Sequence, residues 1–488
     1  MSNTLEQFLK DDLEKWGSRN YLFEKNESGT ESVTFGSFIE QVNYFAAYLN
    51  NKGFTGKNIG IYGPNSIPWM VSEISVMCYV GLAVGFSKDW SYDNIAYSVK
   101  KCELDCLIFD ERQSEFVDRL KKDFPSLTYI SVQNDFKSCV EEGKKISKGL
   151  FTLTPRPEDE PAKVVFTSGT TSFPKAVLLS IKNVFSGWRS LQRRIDVSID
   201  DVCYLFLPLN HTYGSIYNFI YSLVFGYEVH LCYKIPEMAQ EMMEVHPTVF
   251  CGVPLVYMRF YEASKAMGVP LKTLLGGRMR YLFCGGAKLT PEVRQAYVDQ
   301  GMYMMNAYAL SETSSGFSID YPEEEDLESV GTLLEDIDAK VIDPDDEGYG
   351  ELAAKGDYIF KGYMNDEEAT KQAFDEDGYF LTGDIGCIRN KKVYLRGRKD
   401  TRITLPNGEN VSVKMLEERI LKLHDSVVSA KVYVRNDELC TDIYIKDKNL
   451  LAEEELWNDL IEDLNANVSR FERIGKYNLY SSENLLKG

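Results

Sequence analysis

The 488-residue sequence is poor in the residues that build metal centres and histidine-dependent active sites. It has four histidines, and none is flanked by a metal-binding or catalytic-triad pattern. Its ten cysteines are scattered, and the closest pair, Cys102 and Cys106, has no second pair at ligand spacing. We therefore expect reduced, buried thiols and do not expect histidine-centred catalysis.

Long apolar runs and an excess of basic residues are absent as well. No run of about 18 apolar residues occurs, and the N-terminus lacks a basic start followed by an apolar stretch. No membrane span is therefore expected, and the protein is expected to be cytoplasmic. The 74 acidic residues outnumber the 54 basic ones, so the formal charge of −20 opposes binding to nucleic acid, which is not expected as a partner.

The pattern of the first two thirds of the chain predicts an α/β fold. Length and a hydrophobic content of 44% indicate a folded protein with at least two domains. Short apolar runs separated by helical lengths predict largely parallel, buried strands. These strands are expected at Asn58–Gly63, Cys106–Phe109, Thr128–Val132, Val164–Phe166, Glu228–Cys232 and Arg280–Cys284.

The pattern changes after about residue 328. Strands at Asp338–Ile342 and Glu351–Ala354 are spaced by turns, which predicts an antiparallel appendage. The segment Arg396–Asp400 is a charged joint, and about ninety residues of α+β pattern follow it. We therefore predict a large N-terminal domain over residues 1–397 and a small α+β domain over residues 398–488.

A hydroxyl-rich loop after the strand at Val164–Phe166 is the strongest local signal. Residues 167–180 read TSGTTSFPKAVLLS, which offers hydroxyls, backbone N–H groups and one lysine to an oxyanion such as phosphate. The loop does not have the GxxxxGK[ST] pattern, because no glycine precedes Lys175 and Ala176 follows it. An ordinary Ser/Thr/Gly loop is the alternative interpretation.

Further motifs follow that loop in order along the chain. They are LPLNHTYG at 207–214, CGGA at 284–287, AYALSET at 307–313, LTGD at 381–384 and GRKD at 397–400. Together they resemble the acyl-adenylate-forming superfamily of acyl-CoA synthetases, peptide-synthetase adenylation domains and luciferases. The segments 207–214 and 405–412 are most similar to fatty-acyl and related acyl-CoA ligases.

The resemblance implies an acid–thiol ligase that uses ATP and Mg²⁺. A carboxylic acid would be activated as acyl-AMP with release of pyrophosphate, and its acyl group would pass to coenzyme A or to the phosphopantetheine of a carrier protein. Residues 1–397 would be the adenylation domain of stacked mixed sheets with helices, and the C-terminal domain would be mobile. The partner is a small aryl or acyl carboxylic acid; a carrier would be a separate protein, since no carrier segment follows Lys487.

The nucleotide-binding roles are also implied by the resemblance. The ATP phosphates would contact Thr167, Ser168, Gly169, Thr170, Thr171 and Lys175. Glu312 would hold Mg²⁺; a helix-capping acid after Ser311 is the alternative. The adenine and ribose would contact Gly285, Gly286, Ala287, Ala307, Tyr308, Ser311, Asp384 and Arg398, with Asp384 on the ribose hydroxyls.

The remaining roles concern catalysis, domain rotation and the acid. Lys487 would be the adenylation lysine, although its segment lacks the family's usual Gly-Lys context and a terminal surface lysine is the alternative. Asp400 lies at the hinge position. The acyl pocket would contain His211, Tyr213, Gly214, Ser215, Asn218 and Gly252, whose mix of aromatic and small polar types fits an aryl acid or a functionalised acyl chain; ordinary core residues are the alternative.

The sequence departs from the family pattern at several positions. Ser172 and Ala176 replace usual glycines, Ile181 replaces a usual histidine, and Ala309 follows Tyr308 in place of glycine. A degenerate, non-catalytic nucleotide- or acyl-binding homologue is therefore the second hypothesis. A luciferase-like oxygenase is the third.

Overall fold

The computed structural model describes residues 4–167, 174–286, 289–314, 316–323, 326–399, 402–404, 410–435, 438–468 and 472–482. The chain divides into two compact units. The first contains Met1–Ala339, Ala354–Phe380 and Asn390–Val393, and the second contains Lys340–Ala353, Leu381–Arg389 and Tyr394–Gly488. The predicted domain boundary between residues 397 and 398 stays a prediction.

Helices occur throughout both units. They are α1 (Leu5–Trp16), α2 (Phe35–Asn51), α3 (Ile67–Ser75), α4 (Tyr92–Lys101), α5 (Ser114–Asp123), α6 (Phe136–Ile146), α7 (Ile181–Phe185), α8 (Trp188–Gln192), α9 (Tyr221–Phe225), α10 (Met238–Val245), α11 (Pro254–Met267), α12 (Leu271–Leu274), α13 (Pro291–Val298), α14 (Glu367–Gln372), α15 (Val413–Ile420) and α16 (Glu454–Ala466). A π-helical segment, Tyr213–Ile220, leads directly into α9.

Strands alternate with these helices. They are β1 (Asn20–Asn26), β2 (Gly29–Thr34), β3 (Asn58–Tyr62), β4 (Leu82–Phe86), β5 (Cys106–Phe109), β6 (Thr128–Ser131), β7 (Pro161–Thr167), β8 (Lys175–Ser180), β9 (Val202–Leu205), β10 (Glu228–Leu231), β11 (Val249–Gly252), β12 (Tyr281–Cys284), β13 (Tyr303–Tyr308), β14 (Ser318–Ile319), β15 (Thr332–Leu333), β16 (Asp338–Ile342), β17 (Gly350–Lys355), β18 (Gly362–Tyr363), β19 (Phe380–Arg389), β20 (Lys392–Arg398), β21 (Arg402–Thr404), β22 (Asn410–Ser412), β23 (Val427–Arg435), β24 (Glu438–Ile445) and β25 (Lys476–Ser481).

The first unit contains two mixed sheets. One has the order β18-β8-β7-β4-β3-β5-β6, in which β3 to β7 are parallel and β8 is antiparallel to β7. The other runs β15-β14-β13-β12-β11-β9-β10-β1-β2, in which the strands from β13 to β1 are parallel. The predicted α/β fold with mixed sheets and helices is confirmed.

Local sequence explains the elements well. Helix α2 begins after Thr34, whose hydroxyl accepts from the Ser37 N–H, and it buries Phe38, Val42, Phe45 and Leu49 on one face. The predicted strands coincide with observed ones to within a few residues at each end. Because both faces of these strands are buried, apolar and polar residues do not have to alternate along them. Continuous apolar runs therefore indicated their positions in the sequence.

Helices pack on the seven-stranded sheet through a shared apolar core. Val84 of β4, Leu107 of β5 and Val164 of β7 are fully buried with Ile95 of α4 and Val117 of α5. Burying each such side chain contributes about 1.5–3 kcal/mol relative to leaving it exposed. This core holds β7 in place, and β7 leads to the hydroxyl-rich loop.

The second unit contains the predicted appendage and the C-terminal α+β segment. Four strands follow the order β16-β17-β19-β20. Further along, β23 pairs antiparallel with β24 and parallel β25 completes a three-stranded sheet. Trp457 of α16 is buried against this sheet, and its indole N–H donates to the Leu450 carbonyl at 2.9 Å.

The structure also bears on the membrane prediction. Across the described ranges, no helix is both long enough and apolar enough to cross a bilayer.

Candidate active site

A cavity of about 480 Å³ lies at one end of the second sheet of the first unit. Its walls come from the segments that follow β9, β11, β12 and β13, four neighbouring parallel strands. Ligands of open α/β sheets bind outside the carboxyl ends of such strands. Seven of the predicted site residues line this cavity: His211, Tyr213, Gly214, Gly285, Gly286, Ala307 and Ser311.

Tyr213 and the glycine pair form a close-packed wall of the cavity. The Tyr213 hydroxyl donates to the Phe283 carbonyl at 2.8 Å. A Cβ at Gly285 would lie 3.2 Å from the Tyr213 ring, and Gly286 has a φ of +83°, where a Cβ would lie 3.7 Å from Val253 Cγ1. Larger residues would push the ring away or strain the backbone, so the two glycines keep a flat surface at this point.

The wall at residues 207–209 is held by one amide side chain that sequence reasoning did not single out. Asn65 donates from Nδ2 to the Leu207 carbonyl at 2.8 Å, and its Oδ1 accepts from the Leu209 N–H at 3.0 Å. These two hydrogen bonds satisfy backbone groups of residues 207 and 209, as a neighbouring β-strand would. Gly214 lies where a Cβ would collide with the Pro208 carbonyl, which fixes the wall from the other side.

His211 presents an imidazole at the cavity. Surrounding protein atoms partly desolvate the ring, which lowers the pKa of His211 below its ordinary value. The residue nevertheless keeps exposed surface, since it faces open space. A lowered pKa favours the uncharged ring, which can either donate or accept a hydrogen bond.

Three predicted acyl-pocket residues lie elsewhere in the described core. Ser215 donates to Glu73 Oε1 at 2.6 Å, and the same carboxylate pairs with buried Lys163 at 2.6 Å. The Asn218 amide donates to Cys203 Sγ at 3.4 Å. A Cβ at Gly252 would lie 2.9 Å from the Tyr257 ring. Their roles toward the acid stay predictions.

One tyrosine contacts both a residue predicted to bind phosphate and the residue predicted to bind the metal. Thr167 and Lys175 face each other in the register of β7 and β8, at the two ends of the hydroxyl-rich loop. Lys175 Nζ lies 4.8 Å from the centre of the Tyr363 ring. The Tyr363 hydroxyl donates to Glu312 Oε1 at 2.9 Å.

Tyr363 is a residue that sequence reasoning missed. It lies in the two-residue strand β18, where it pairs with Val177 of β8. Its distance of 51 positions from Glu312 leaves no local pattern that could have indicated the contact. Only the pairing of β18 with β8 brings it between Lys175 and Glu312.

Glu312 is suited to hold a hard cation. Its carboxylate is buried, and among the described residues Tyr363 is its hydrogen-bond partner and no cation pairs with it. The adjacent Ser311 lines the cavity. Carboxylate oxygen is a ligand that Mg²⁺ prefers, typically with substrate phosphates and water completing the shell. The described residues contain no cluster of three or more His, Cys, Asp or Glu able to hold a metal.

Tyr308 is buried in β13 next to the cavity residue Ala307. Its ring lies 4.9 Å from the Phe317 ring at an angle of 59°. The Tyr308 ring thus packs against Phe317, the residue that precedes β14. The predicted contact between Tyr308 and adenine stays a prediction.

Asp384 and Arg398 come together in the second unit. Arg398 Nη1 lies 3.3 Å from Asp384 Oδ1, and the Asp384 side chain is 11% exposed. The Thr382 hydroxyl accepts from the Asp384 N–H at 3.0 Å. Gly383 has a φ of +70°, and a Cβ there would lie 3.0 Å from the guanidinium. The predicted ribose-binding pair is therefore a structural pair as well.

Several predicted site residues lie outside the described residues. They are Ser168, Gly169, Thr170, Thr171, Ala287, Asp400 and Lys487. Their roles stay predictions.

Comparison with known proteins places these motifs in a family. A family model described as AMP-binding enzyme matches residues 9–364. The long-chain-fatty-acid–CoA ligase ACSBG2 of Xenopus laevis is 22% identical over 485 residues, which cover 86% of this chain and 66% of its own length. The fatty acyl-CoA synthetase A of Dictyostelium discoideum is 25% identical over 496 residues, covering 87% of this chain and 72% of its own. The chain thus spans about two thirds of the length of the first of these relatives.

Solved structures share the fold. ATP-bound MatB from Rhodopseudomonas palustris aligns with a TM-score of 0.82 at 21% identity, covering 100% of this chain and 98% of its own. A fatty acyl CoA synthetase of Mycobacterium tuberculosis aligns with a TM-score of 0.76 at 20% identity, covering 98% of this chain and 94% of its own. These likenesses concern the arrangement of the backbone, which agrees with the family match.

Proposed function

The chain belongs to the AMP-binding enzyme family, and we propose that it is an AMP-forming acid–thiol ligase. In the first half-reaction a carboxylate oxygen attacks the α-phosphorus of ATP, the bond to the β-phosphate breaks, and pyrophosphate leaves. In the second, a thiol attacks the acyl carbonyl and AMP leaves. The names of the relatives, which are CoA ligases, support this chemistry.

One observation carries the proposal. The cavity of the first unit is lined both by residues predicted for adenine, Gly285 and Gly286, and by residues predicted for the acid, His211 and Tyr213. An acyl-adenylate is one molecule that contains both parts. A single cavity with both linings is what that intermediate requires.

The charged residues beside the cavity have complementary tasks. Two anions, the carboxylate and ATP, must approach each other, so positive charge is needed where they meet. Lys175 would draw the terminal phosphates toward the end of the β7–β8 hairpin, with Thr167 and the loop at 168–171 as further donors. Mg²⁺ would supply charge that neutralises the phosphate oxygens, and Glu312 would hold it.

In the second unit, Asp384 would bind the ribose. Its two carboxylate oxygens can accept from both ribose hydroxyls, while Arg398 orients it and adds a donor. We retain Lys487 as the adenylation lysine and Asp400 as the hinge between half-reactions. Lys487→Ala should then abolish adenylation while sparing transfer from a preformed acyl-adenylate to a thiol.

ATP–pyrophosphate exchange tests the proposal directly. The purified protein is given ATP, Mg²⁺ and a panel of fatty, aryl and functionalised acids in the absence of any thiol. Exchange that depends on one class of acid supports the ligase. ATP binding without exchange across the panel would favour the degenerate binding homologue instead.

The acceptor thiol is resolved in a second step. With the active acid in hand, thioester formation is compared between coenzyme A and free pantetheine, and with a phosphopantetheinylated carrier protein. The relatives favour coenzyme A. A rate with the carrier that exceeds the rate with coenzyme A would replace that expectation.

A further inference from the structure

Three tyrosines, one of them half-buried and two buried, form a row beside the cavity. Tyr213, Tyr217 and Tyr221 are spaced by four residues through the π-helical segment and α9. The Tyr213 and Tyr217 ring centres are 5.9 Å apart, and those of Tyr217 and Tyr221 are 5.2 Å apart. Tyr213 and Tyr217 line the cavity.

The hydroxyls of the outer two tyrosines lie against the backbone. Tyr213 donates to the Phe283 carbonyl at 2.8 Å. The Tyr221 hydroxyl lies beside Gly187, where a Cβ would come within 2.5 Å of it. The protein backbone therefore adjoins the polar end of each of these two rings.

The hydroxyl of the middle tyrosine has no such partner. Tyr217 is 6% exposed. No described residue forms a hydrogen bond with its hydroxyl. Its backbone carbonyl accepts a hydrogen bond from the Tyr227 hydroxyl. The Tyr217 hydroxyl is not among the fully enclosed unpaired polar atoms, so it keeps accessible surface. Leaving such a hydroxyl unpaired becomes costly once a ligand excludes water from it. Since Tyr217 lines the cavity, a molecule in the cavity can supply that partner.

The position of Tyr217 indicates which part of a ligand it would meet. The Tyr213 ring packs against Gly285 on the adenine side of the cavity, and Tyr217 lies one helical turn further away. A ligand that extends from Gly285 past Tyr213 therefore reaches Tyr217 with the end opposite to its reacting carboxyl group. Burial raises the pKa of Tyr217 well above its ordinary value, so its hydroxyl remains protonated and able to donate.

We propose that Tyr217 determines specificity by donating a hydrogen bond to an oxygen substituent at the far end of the acyl group. This inference rests on the proposed function. The substrate class is then a compact acid, aromatic or of similar size, that bears an oxygen acceptor away from its carboxyl group. The aromatic rings of Phe206 and Tyr213 supply flat walls for such an acyl group. A plain alkyl acid would leave the Tyr217 hydroxyl buried and unpaired, and sites of this kind discriminate against ligands that lack the matching polar group.

Binding of stable intermediate analogues tests the proposal without requiring turnover. Acyl sulfamates of adenosine are prepared as matched pairs: benzoyl with 4-hydroxybenzoyl, cinnamoyl with 4-hydroxycinnamoyl, and hexanoyl with 6-hydroxyhexanoyl. Calorimetry on the full chain gives the dissociation constants. We expect at least one oxygen-bearing analogue to bind about tenfold or more tightly than its partner, and Tyr217→Phe to remove that preference.

Tyr213→Phe is the matched control. It also deletes one hydroxyl, but that hydroxyl already has a backbone partner, so both members of a pair should weaken by the same factor. Thermal unfolding shows that each variant is folded. Two results would overturn the role of Tyr217 and leave the proposed function standing. In one, the preference for the oxygen-bearing analogue survives Tyr217→Phe. In the other, the unaltered protein binds both members of every pair equally. Failure to bind any of the six analogues overturns the inferred substrate class, whereas the proposed function is decided separately by ATP–pyrophosphate exchange with the wider panel of acids.

Discussion

Two carboxylates beside which nucleotide is expected to bind are held in opposite ways. In the first unit, Glu312 accepts a hydrogen bond from the neutral hydroxyl of Tyr363 at 2.9 Å. In the second unit, Asp384 is paired with the Arg398 guanidinium at 3.3 Å. Both carboxyl groups are largely buried. What differs is whether the neighbour carries a compensating charge.

The difference indicates what each carboxylate can do. Among the described residues, the partner of Glu312 is neutral and no cation pairs with the carboxylate, which favours a cation as ligand. A guanidinium compensates the charge of Asp384, and a carboxylate can accept several hydrogen bonds at once. The identity of the neighbour is therefore consistent with the roles proposed for the two acids, a metal ligand at Glu312 and a ribose ligand at Asp384.

A third buried carboxylate, that of Glu73, is paired with a lysine, and we expect the loss of this lysine to have the largest effect on the protein. Glu73 is 1% exposed and is paired with Lys163, with further bonds from Ser215 and Trp69. Lys163→Met would leave a buried charge without its cation, so we expect the free energy of unfolding to fall by about 3–5 kcal/mol. Chemical denaturation measures the change. Combining it with Glu73→Gln should recover part of the loss, and a single-variant loss near zero would contradict a sealed ion pair.

Glu312→Gln tests the charge of the proposed metal ligand. Glutamine can still accept from Tyr363 but is uncharged, and a metal ion stabilises transition-state charge by several kcal/mol. We expect the exchange rate at fixed Mg²⁺ to fall at least about a hundredfold, since several kcal/mol correspond to that factor or more. Exchange kinetics over a Mg²⁺ titration provide the measurement. An unchanged rate and an unchanged Mg²⁺ dependence would remove Glu312 from the metal site.

Asp384→Asn tests the ribose ligand by the same kind of substitution. Hydrogen bonds to a charged group contribute about 1.5–3 kcal/mol, so ATP should bind roughly ten- to a hundredfold more weakly. The dissociation constant of ATP is measured by calorimetry. Lys399→Gln is the control, because it breaks the neighbouring pair with Glu351 at 2.7 Å without touching Asp384, and it should leave the constant nearly unchanged. Equal effects of the two variants would argue against a specific role for Asp384.

Tyr363→Phe is expected to change the exchange rate least. It separates the contribution of the Tyr363 hydroxyl from that of the Glu312 charge. It removes the neutral donor but leaves the charge of Glu312 and the ring beneath Lys175 in place. Because a neutral hydrogen bond contributes about 0.5–1.5 kcal/mol, exchange should slow by roughly two- to tenfold. The same kinetic assay applies. A loss as large as that of Glu312→Gln would show that the hydroxyl, and not the carboxylate charge, is the essential group.

The family and the strand pattern were predictable from the sequence. The ordered motifs predicted an adenylate-forming enzyme, and the family match over residues 9–364 confirms it. Apolar runs predicted strands such as β5, whose bounds Cys106–Phe109 agree completely. These signals are local, because strand burial and loop chemistry are written in consecutive residues.

The partners of the site residues were not predictable. Ser215, whose predicted role toward the acid stays a prediction, donates to Glu73, 142 positions away, and the sequence did not indicate that bond. Asn65 was not predicted as a site residue, and its bonds to Leu207 and Leu209 join segments about 140 positions apart. No spacing rule connects residues so far apart in the chain.

Consecutive residues identify the family, most of the strands and the side chains predicted to contact phosphate, metal and sugar. The packing of the chain places several of these side chains around one cavity and sets the charge beside each carboxylate. It does so because four parallel strands end at one edge of a sheet and because β18 pairs with β8, which places Tyr363 on Glu312. Long-range pairing is a property of the packed chain as a whole, and no short stretch of residues encodes it.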